Sequence, residues 1–589
     1  MCGILFSLSN KDKVINNEHW EILKELNARR GPDAQDLKQV NICHNNDQLA
    51  LQFFSTVLHL RGPEIVPQPR FNPDTGNVLC WNGEIFGGIR VACGQNDTEV
   101  LMEQLEKADS DIELLSLLTT IEGPFAFVYY RADTKKIWFS RDCLGRRSLL
   151  WQRSENGPFM LSSVVQASMD WEEVPANGIY CIDLESKEES EMRACGAPIK
   201  LFPWTYNDPQ DKLETLQAGN LTFPFPRLNT TVPTDLTPIE NEDTEPEIDN
   251  QMEQAIKEFS DELSKAVKNR VADVPYLNSK GHARIAILFS GGLDCICLAA
   301  LADKHLPVSE SIDLLNVAFE NPRIEKARIQ KVKTKKNKNK KNLEEKPVVE
   351  ESVVEKQMIE EAVRSIYDTP DRLTGRAGVE ELRNIAPNRT WNFVEINVPY
   401  VEAMEYKQRI IDRMFPLDTV MDLSIAMAFW FASRGRGVIN NTIEYESHAR
   451  VLISGLGADE QLGGYSRHRE AFRQGSWEKL IIETQLDVDR ISNRNLGRDD
   501  RIMSDHGKEV RFPFLSTDVV NGLCKQPIQL KMDLRFNRGI GEKILLRHVA
   551  RKLGLINASR NWKRAIQFGA KTAKMTGENR IEKGQHKLS

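Results

Sequence analysis

A cysteine, Cys2, directly follows the initiator methionine in the opening sequence MCGILF. Removal of the methionine would leave a thiol and a free α-amine on one residue, so that a nucleophile and a possible base lie side by side. Such a residue would be a self-contained catalytic unit. The alternative is a residue without a chemical role at position 2, and the rest of the sequence must decide between the two interpretations.

A glycine-rich loop in the sequence ILFSGGLDC could bind an anion. Residues 290–292 lie between an apolar, strand-like run and the predicted first turn of a helix, where unpaired backbone N–H groups and the helix dipole attract negative charge. The loop is not a Walker motif, because no lysine followed by Ser or Thr stands at the required distance. Asp294 would repel a bare phosphate but could hold Mg²⁺ that bridges phosphate oxygens. The alternative is a tight strand-to-helix turn in which Asp294 is a favourable charge in the first helical turn.

A second glycine-rich turn, SGLGADEQLGGY, follows another apolar run and carries the carboxylates Asp459 and Glu460. Open α/β sheets bind their ligands at the carboxyl ends of the strands. A carboxylate of this turn could face Asp294 across such a crevice and complete a Mg²⁺ site. The two turns together favour the nucleotide interpretation.

The length and composition of the chain limit the classes of protein it can belong to. Its 589 residues require at least two domains, because one domain usually takes about 100–200 residues. A net charge of -7 argues against general nucleic-acid binding, and no stretch reaches the roughly 18 apolar residues of a membrane-spanning helix. We therefore expect a cytoplasmic protein with no nucleic-acid or membrane partner. The ten cysteines lack paired metal-ligand spacings and are expected to be reduced thiols, and the oligomeric state stays open.

The elements that must position these residues change in character along the chain. Short apolar runs separated by Gly, Pro and Asn predict strands and turns up to about residue 200. Residues 200–255 are too polar and proline-rich for a packed element and are interpreted as a linker. Residues 256–589 alternate four apolar runs with helical segments, as in a doubly wound parallel sheet. A lysine-rich insertion at 326–351 is expected to be a solvated loop, with a nuclear-import or nucleic-acid patch as the alternative.

The second domain resembles the asparagine synthetases, ATP pyrophosphatases whose SGGxDS loop binds pyrophosphate. The resemblance rests on SGGLDC and SGLGADE and implies that a carboxylate is adenylated by ATP and then amidated by ammonia. It implies a metal site at Asp294 and Asp459. The residues that match contacts to ATP or pyrophosphate are Phe289, Ser290, Gly291, Gly292, Asp294, Cys295, Val317, Ser454, Gly455, Lys543 and Lys563.

The first domain, residues 2–185, resembles the class II glutamine amidotransferases in MCGI, RRGPD, WNGEIF, NDTEV, GPFAFVYY and RDCLGRRSLL. This resemblance implies an αββα N-terminal-nucleophile fold in which Cys2 attacks the glutamine amide. The amine, with a reference pKa of about 7.7–8.0, would take the proton of a thiol with a reference pKa of about 8.5.

The same resemblance assigns the remaining glutaminase residues. Asn82 and Gly83 would form the oxyanion hole, and Glu84 and Asp97 would hold the glutamine α-amine. Arg61 is the nearest candidate for the glutamine carboxylate, although its spacing to the following Gln-Pro pair is shorter than the family pattern.

Three residues depart from the synthetase pattern. Cys295 stands where the family usually has Ser and is a weaker hydrogen-bond donor. Leu456 replaces a Glu of asparagine synthetases, and general acid–base help is worth about 10²–10⁴-fold. Ser516 replaces the Asp of the PFLD pattern. We expect these changes to cluster where the acyl adenylate meets its nucleophile.

The combination of motifs resembles the asparagine synthetase domain-containing protein 1 family, notably in DRLTGRAGVEEL, PLDTVMDLSIAMAFWFASRG and KRAIQFG. This resemblance implies that glutamine, aspartate and ATP with Mg²⁺ give asparagine, glutamate, AMP and pyrophosphate. One alternative is amidation of a different carboxylate, because Leu456 and Ser516 alter the acceptor pocket. Another is an ATP-binding or scaffold protein without synthetase activity.

Overall fold

The computed structural model describes most of the chain, and every structural statement concerns the residues it describes. These are residues 2–10, 15–44, 47–153, 157–167, 170–186, 190–206, 212–234, 239, 241–276, 282–320, 322, 366–575 and 584–588. The lysine-rich insertion expected at 326–351 lies outside them.

The first domain consists of two antiparallel sheets with helices on their outer faces. One sheet has the strand order β10-β8-β9-β1-β3-β2, and the other has the order β12-β13-β11-β7-β6-β5-β4 with β14 beside β13. The strands are β1 (Gly3–Ser9), β2 (Ala34–His44), β3 (Asp47–Val57), β4 (Arg70–Phe71), β5 (Val78–Gly83), β6 (Phe125–Arg131), β7 (Lys136–Arg141), β8 (Leu150–Arg153), β9 (Phe159–Ser162), β10 (Glu172–Glu173), β11 (Gly178–Asp183), β12 (Arg193–Ala194), β13 (Ala197–Thr205) and β14 (Leu221–Thr222). The helices are α1 (Asn17–Ala28), α2 (Asp97–Glu106), α3 (Asp111–Thr120) and α4 (Lys212–Gln217).

Strand β1 shows why the layers stack in this order. Its side chains alternate between two faces, as strand geometry requires. Ile4 and Phe6 join the core between the two sheets, whereas Leu5 packs with Trp20 of helix α1 on the outer face. Helices α2 and α3 cover the outer face of the other sheet. The αββα arrangement expected for this domain is confirmed.

The second domain is built on a seven-stranded mixed sheet with the order β19-β18-β17-β16-β15-β20-β21. Strands β17, β16, β15, β20 and β21 are parallel, and β18 and β19 form an antiparallel edge hairpin. The bounds are β15 (Ile285–Leu288), β16 (Ile312–Phe319), β17 (Trp391–Val398), β18 (Arg436–Ile439), β19 (Ile443–Glu446), β20 (Val451–Ile453) and β21 (Glu509–Arg511). The four apolar runs expected to be strands are β15, β16, β17 and β20.

Helices connect and cover these strands, with α7 and α10 packed against β16. They are α5 (Asn250–Val271), α6 (Leu293–His305), α7 (Pro370–Ile385), α8 (Tyr400–Glu405), α9 (Lys407–Met414), α10 (Val420–Arg434), α11 (Ala458–Leu462), α12 (Ser466–Arg494), α13 (Leu496–Ser504), α14 (Thr517–Lys525), α15 (Ile528–Lys531), α16 (Ile544–Lys552) and α17 (Ile566–Gly569). Short 3₁₀ turns lie at Pro513–Leu515, Ala558–Arg560 and Thr572–Lys574.

The strand order places a topological switch point between β15 and β20. From β15 the chain proceeds to β16 and β17 on one side, and it later returns to β20 and β21 on the other. The crevice at such a point, at the carboxyl ends of the strands, is where open α/β sheets bind ligands. The loop at 289–292 follows β15 and the turn at 454–457 follows β20, so both glycine-rich motifs meet there.

Part of the segment expected to be a linker is instead built into the fold. Strand β13 continues to Thr205 and pairs with β11, and β14 pairs with β13. Further along, Phe225 and Leu228 are buried in the core of the second domain. The polar and proline-rich average of residues 200–255 concealed these few apolar side chains, and their burial holds the segment against both domains.

Buried ion pairs join the two domains. Arg30 of the first domain contacts Asp500 at 2.6 Å, and Arg147 contacts Glu509 at 2.9 Å. All four side chains are at most 2% exposed. Buried ion pairs contribute little net stability, but removal of one partner typically costs about 3–5 kcal/mol. The contacts therefore fix how the domains dock.

Candidate active sites

Cys2 immediately precedes strand β1 and lines a cavity of about 30 Å³. Its backbone nitrogen, which becomes the α-amine after methionine removal, donates to Asn82 Oδ1 at 3.1 Å. Burial raises the pKa of the Cys2 thiol, and the backbone N–H of Leu58 opposes that effect only in part. The neutral thiol therefore predominates at neutral pH, and attack on a substrate requires a base for its proton.

The side-chain amide of Asn82 has its oxygen engaged and its nitrogen available. Its oxygen accepts from Cys2, whereas Nδ2 is buried and has no hydrogen-bond partner in the described part of the chain. A buried amide N–H without a partner is costly and points to a group that is bound during function. This donor, beside the nucleophile, fits an oxyanion hole.

Gly83 follows Asn82 at the end of β5, opposite Phe125 of β6. A Cβ added at this position would lie 2.7 Å from the Trp81 side chain and 2.8 Å from Pro124 O. Close packing of the backbone therefore requires glycine here. The structure places Gly83 on the lining of the same cavity as Cys2.

Glu84, Asp97 and Arg61 also line this cavity. Arg61 Nη1 lies 4.0 Å from Asp97 Oδ2 and donates to Ile85 O at 2.6 Å. Burial raises the pKa of Glu84 to about 7, while the charge of Arg511 opposes the rise. Burial also raises the pKa of Asp97, against the charge of Arg61. The pocket thus combines two buried carboxylates with one guanidinium, which suits an α-amino acid.

Sequence reasoning missed three residues at this site. Gln68 accepts from Trp81 N at 2.7 Å, and its Nε2 lies 3.7 Å from Cys2 Sγ. Glu509 of the second domain lines the cavity, and Arg511 Nη2 lies 3.2 Å from Glu84 Oε1. The Gln-Pro pair was a usable signal for Gln68. The contacts of residues 509 and 511 depend on domain docking, which no local pattern shows.

The second candidate site is a cavity of about 860 Å³ at the switch point. The expected nucleotide residues that line it are Phe289, Ser290, Gly292, Asp294, Cys295, Val317, Ser454, Gly455 and Lys563, together with Asp459. Gly291 and Lys543 contact these residues without belonging to the lining. Its volume is within the usual range of small-molecule sites, roughly 300–1,000 Å³.

The loop after β15 has the local structure of an anion site. Helix α6 has no side-chain cap at its N-terminus, so its first N–H groups are open to a ligand. Gly291 has φ +76°, and a Cβ there would lie 2.4 Å from Gly375 N, so no other residue fits. Cys295 Sγ donates to Gly292 O at 3.2 Å, and burial raises the pKa of this thiol to about 11. Cys295 is thus a neutral residue that closes the loop.

Two carboxylates and two lysines meet between the glycine-rich turns. Lys543 Nζ lies 2.7 Å from Asp294 Oδ1 and 2.6 Å from Asp459 Oδ1, and Lys563 Nζ lies 2.6 Å from Asp459 Oδ2. The carboxylates raise the pKa of Lys543 against the effect of its burial, and the lysines lower that of Asp459 against its burial. Burial raises the pKa of Asp294. Glu460 also lines the cavity but pairs with neither lysine in the described chain, and it accepts from Tyr465 Oη at 2.5 Å.

The cluster is compatible with Mg²⁺ only when phosphate is also present. The described residues contain no group of three or more His, Cys, Asp or Glu side chains suited to a metal ion. Mg²⁺ usually takes one or two protein carboxylates, several waters and substrate phosphates. Asp294 and Asp459 supply the two carboxylates, and the same phosphates would draw the lysine ammonium groups away from them.

The departures from the synthetase pattern do not cluster as expected. Leu456 and Cys295 line the large cavity. Ser516 does not line it, and its hydroxyl donates instead to Glu122 of the first domain at 2.9 Å. An Asp at 516 would place a second carboxylate against Glu122, which explains physically why a hydroxyl suits this position. The expectation for Ser516 was therefore wrong.

Comparison with known proteins agrees with this architecture. The sequence model of the glutamine amidotransferase domain matches residues 1–179, and that of asparagine synthase matches residues 473–583. Asparagine synthetase domain-containing protein 1 of Gallus gallus is 38% identical, with 100% of this chain and 99% of that protein covered. Its Homo sapiens counterpart is 40% identical, covering 98% of this chain and 95% of that protein. This chain belongs to the asparagine synthetase domain-containing protein 1 family.

A glutamine amidotransferase domain and an asparagine synthase domain on one chain indicate glutamine-dependent amidation with use of ATP. This chain aligns with the solved amidotransferase of B. subtilis complexed with ADP and GMP over 53% of its own length and 65% of that chain, at 12% identity and a TM-score of 0.24. No helix in the described ranges combines the length and apolar character needed to cross a membrane.

Proposed function

We propose that the chain is a glutamine-hydrolysing carbon–nitrogen ligase of the asparagine synthetase type. The observation that carries the proposal is the pairing of a nucleophile site and a nucleotide site on one chain. Cys2 lies against an Asn82 whose Nδ2 has no partner among the described residues, and Asp294 and Asp459 meet two lysines at the switch point. The chain thus has candidate residues both for release of ammonia and for activation of an acceptor by ATP.

In the first half, the Cys2 sulfur attacks the amide carbon of glutamine, and its own α-amine takes the thiol proton. Asn82 Nδ2 and the Gly83 N–H stabilise the oxyanion of the tetrahedral intermediate. The C–N bond breaks as the ammonium form of the amine returns the proton to the leaving nitrogen, and ammonia departs. Water then hydrolyses the thioester to glutamate and restores the thiol. Glu84 and Asp97 hold the α-ammonium of glutamine, and Arg61 holds its carboxylate.

In the second half, an oxygen of the acceptor carboxylate attacks the α-phosphorus of ATP, and pyrophosphate leaves. The loop at 290–292 and the ammonium groups of Lys543 and Lys563 stabilise the charge on the leaving group. Asp294 and Asp459 would hold Mg²⁺, which neutralises phosphate charge when it is bound. Phe289, Val317, Ser454 and Gly455 enclose the adenosine. Ammonia attacks the acyl carbon, loses a proton and displaces AMP.

Aspartate is the acceptor that we propose, which makes asparagine the product. A second candidate is amidation of a different and more apolar carboxylic acid. It is favoured by Leu456, which lines the cavity together with Leu417, Ile425 and Phe429. None of these four side chains can move a proton, so Leu456 does not give the acid–base help that a Glu at this position would give.

The test is pyrophosphate release by purified protein whose initiator methionine is confirmed to be absent. Reactions contain ATP, Mg²⁺ and glutamine, with or without aspartate, and glutamate and asparagine are measured in the same tubes. The proposal expects aspartate-dependent pyrophosphate with an equal amount of asparagine. Glutamate release without aspartate-dependent pyrophosphate would exclude asparagine synthesis and move the search to other acids.

A further inference from the structure

The glutamine cavity is not closed by the first domain alone. Strand β21 (Glu509–Arg511) is the edge strand of the second domain, and it runs beside the cavity that contains Cys2. Glu509 lines that cavity, and Arg511 Nη2 lies 3.2 Å from Glu84 Oε1. A residue proposed to hold the α-ammonium of glutamine is thus paired across the domain boundary.

Arg511 is held rigidly on every other side. Its Nε donates to Glu509 Oε1 at 2.6 Å, its Nη1 donates to Arg270 O at 2.8 Å, and the side chain is 2% exposed. Nη2 makes no well-aligned hydrogen bond in the described part of the chain, although it faces Glu84. A buried guanidinium fixed at two nitrogens cannot follow a mobile partner, so it defines where the carboxylate must be.

The charges around Glu84 explain why a cation is needed there. Glu84 faces Arg511 and Glu509 from the second domain and Asp97 and Arg61 from the first. Burial and the two neighbouring carboxylates favour the neutral form of Glu84, which cannot hold an ammonium group by charge. Arg511 is the strongest opposing influence, and loss of its charge would leave a neutral carboxyl at neutral pH.

The backbone of the same residue reaches the other site. Arg511 pairs with Ile453 of β20, and its carbonyl accepts from Ser454 N at 3.0 Å. Ser454 is the first residue of the turn that lines the nucleotide cavity. One residue therefore contacts the glutamine pocket through its side chain and the nucleotide pocket through its main chain.

We propose that Arg511 of the synthetase domain is a positioning residue of the glutaminase, which keeps Glu84 charged and in place to hold the α-ammonium of glutamine. The inference rests on the proposed hydrolysis of glutamine at Cys2. Glutamine recognition is then complete only while the two domains are docked. Arg511 acts through Glu84, so its loss should weaken substrate binding more than it slows the chemical step.

The test compares glutaminase kinetics of the full-length wild type, R511Q, R511K and R450Q between pH 6 and 9. Arg450 pairs with Asp33 across the same interface and is the matched control for loss of an interdomain ion pair. We expect R511Q to raise KM for glutamine about 10-fold at pH 7.5, with kcat within about 3-fold of the wild type. The acidic limb of its kcat/KM profile moves to higher pH, whereas R511K keeps that limb near its wild-type position and R450Q keeps KM within about 2-fold.

A KM for R511Q equal to that of the wild type, or a loss confined to kcat, would overturn the inference. If R511Q does not fold, R511M takes its place, since it also removes the charge, and an unchanged KM for glutamine in that variant contradicts the proposal. Labelling of Cys2 by 6-diazo-5-oxo-L-norleucine, followed by mass spectrometry, distinguishes failure of the proposed glutamine hydrolysis from failure of the role of Arg511. An unlabelled wild type refutes glutamine hydrolysis at Cys2 itself, whereas equal half-saturating concentrations for wild type and R511Q refute only the role of Arg511.

Discussion

The two cavities differ in volume and in how far their polar groups are already paired with one another. The glutamine cavity is about 30 Å³, and Asn82, which contacts the lining residue Cys2, has a buried amide donor, Nδ2, with no partner in the described chain. The nucleotide cavity is about 860 Å³, and its charges neutralise one another through Lys543 and Lys563. The amide donor of the first site is already in place, but a cavity of this volume has room for only a few water molecules and must widen to admit glutamine. The second site must exchange internal ion pairs for contacts with phosphate.

Cys2→Ala should have the largest effect, because it removes the nucleophile of the glutamine site and leaves the nucleotide site intact. We expect glutamine-dependent amidation to fall by about 10⁴-fold or more, while ammonia-dependent amidation stays within about 2-fold of the wild type. Pyrophosphate release with glutamine or with ammonium chloride measures both. Cys93→Ala, at an exposed cysteine, is the matched control. Equal loss with both nitrogen sources would contradict separate sites.

Asn82→Ala tests whether the glutamine site is preorganised. Removal of one oxyanion donor typically lowers kcat by about 10²–10³-fold. We expect a loss of this size in glutamate formation, with KM for glutamine changed by less than about 3-fold. Steady-state glutaminase kinetics supply the measurement, and a kcat close to that of the wild type would remove Asn82 Nδ2 from the mechanism.

Lys543→Met tests the nucleotide site in the same way. It removes the cation shared by Asp294 and Asp459, so we expect ATP-dependent pyrophosphate release to fall by about 10²-fold. The glutaminase rate without ATP should be unchanged, because the lysine lies at the other cavity. Lys265→Met, at an exposed lysine, is the control. A variant with full pyrophosphate release would show that Lys543 is only a structural counter-ion.

Ser516→Asp tests the explanation for the altered PFLD pattern. A second carboxylate beside Glu122 should lower the free energy of unfolding by about 1–3 kcal/mol, and the added E122Q substitution should restore much of it. Ser516→Ala, which loses one hydrogen bond, should cost only about 1 kcal/mol. Urea unfolding followed by tryptophan fluorescence measures these changes. A Ser516→Asp protein as stable as the wild type would contradict the electrostatic explanation.

The smallest expected effect is the pH dependence of glutamine binding. Glu84, whose pKa is raised to about 7, is charged above that pH and neutral below it, and only the charged form attracts the substrate ammonium. The kcat/KM for glutamine should therefore rise with pH through about 7 and fall up to about 10-fold per unit below it. ATP-dependent pyrophosphate release with ammonia should lack this limb. A kcat/KM for glutamine that stays constant between pH 6 and 8 would contradict the proposed role of charged Glu84.

Buried parallel strands were predictable because both of their faces are covered, which leaves continuous apolar runs such as SIDLLNVAF. Strand β21 was missed, since Glu509 and Arg511 occupy its two ends and only Val510 is apolar. The two charges are buried because each finds a partner in the other domain, Arg147 for Glu509 and Glu84 for Arg511. Those partners stand more than 360 residues away, where no sequence period can indicate them.

The candidate site residues show the same limit. The glycine-rich turns were recognisable in the sequence because their backbone geometry requires glycine at particular positions, such as Gly291. Lys563 stands 104 residues after Asp459 in the chain, yet the fold brings its Nζ to 2.6 Å from that carboxylate. Ser516 was misassigned because a motif indicates which residue type is unusual, and only tertiary structure indicates what that residue contacts, here Glu122.

The central claim is that one chain moves nitrogen from glutamine at Cys2 to a carboxylate activated by ATP. Glutamine labelled with ¹⁵N in its amide, supplied with ATP, Mg²⁺, aspartate and an excess of unlabelled ammonium, tests it most directly by mass spectrometry of the products. The account predicts ¹⁵N-asparagine in an amount that approaches that of the pyrophosphate released, and none from the Cys2→Ala protein. Labelled ammonium in solution with no labelled amide and no aspartate-dependent pyrophosphate would contradict it.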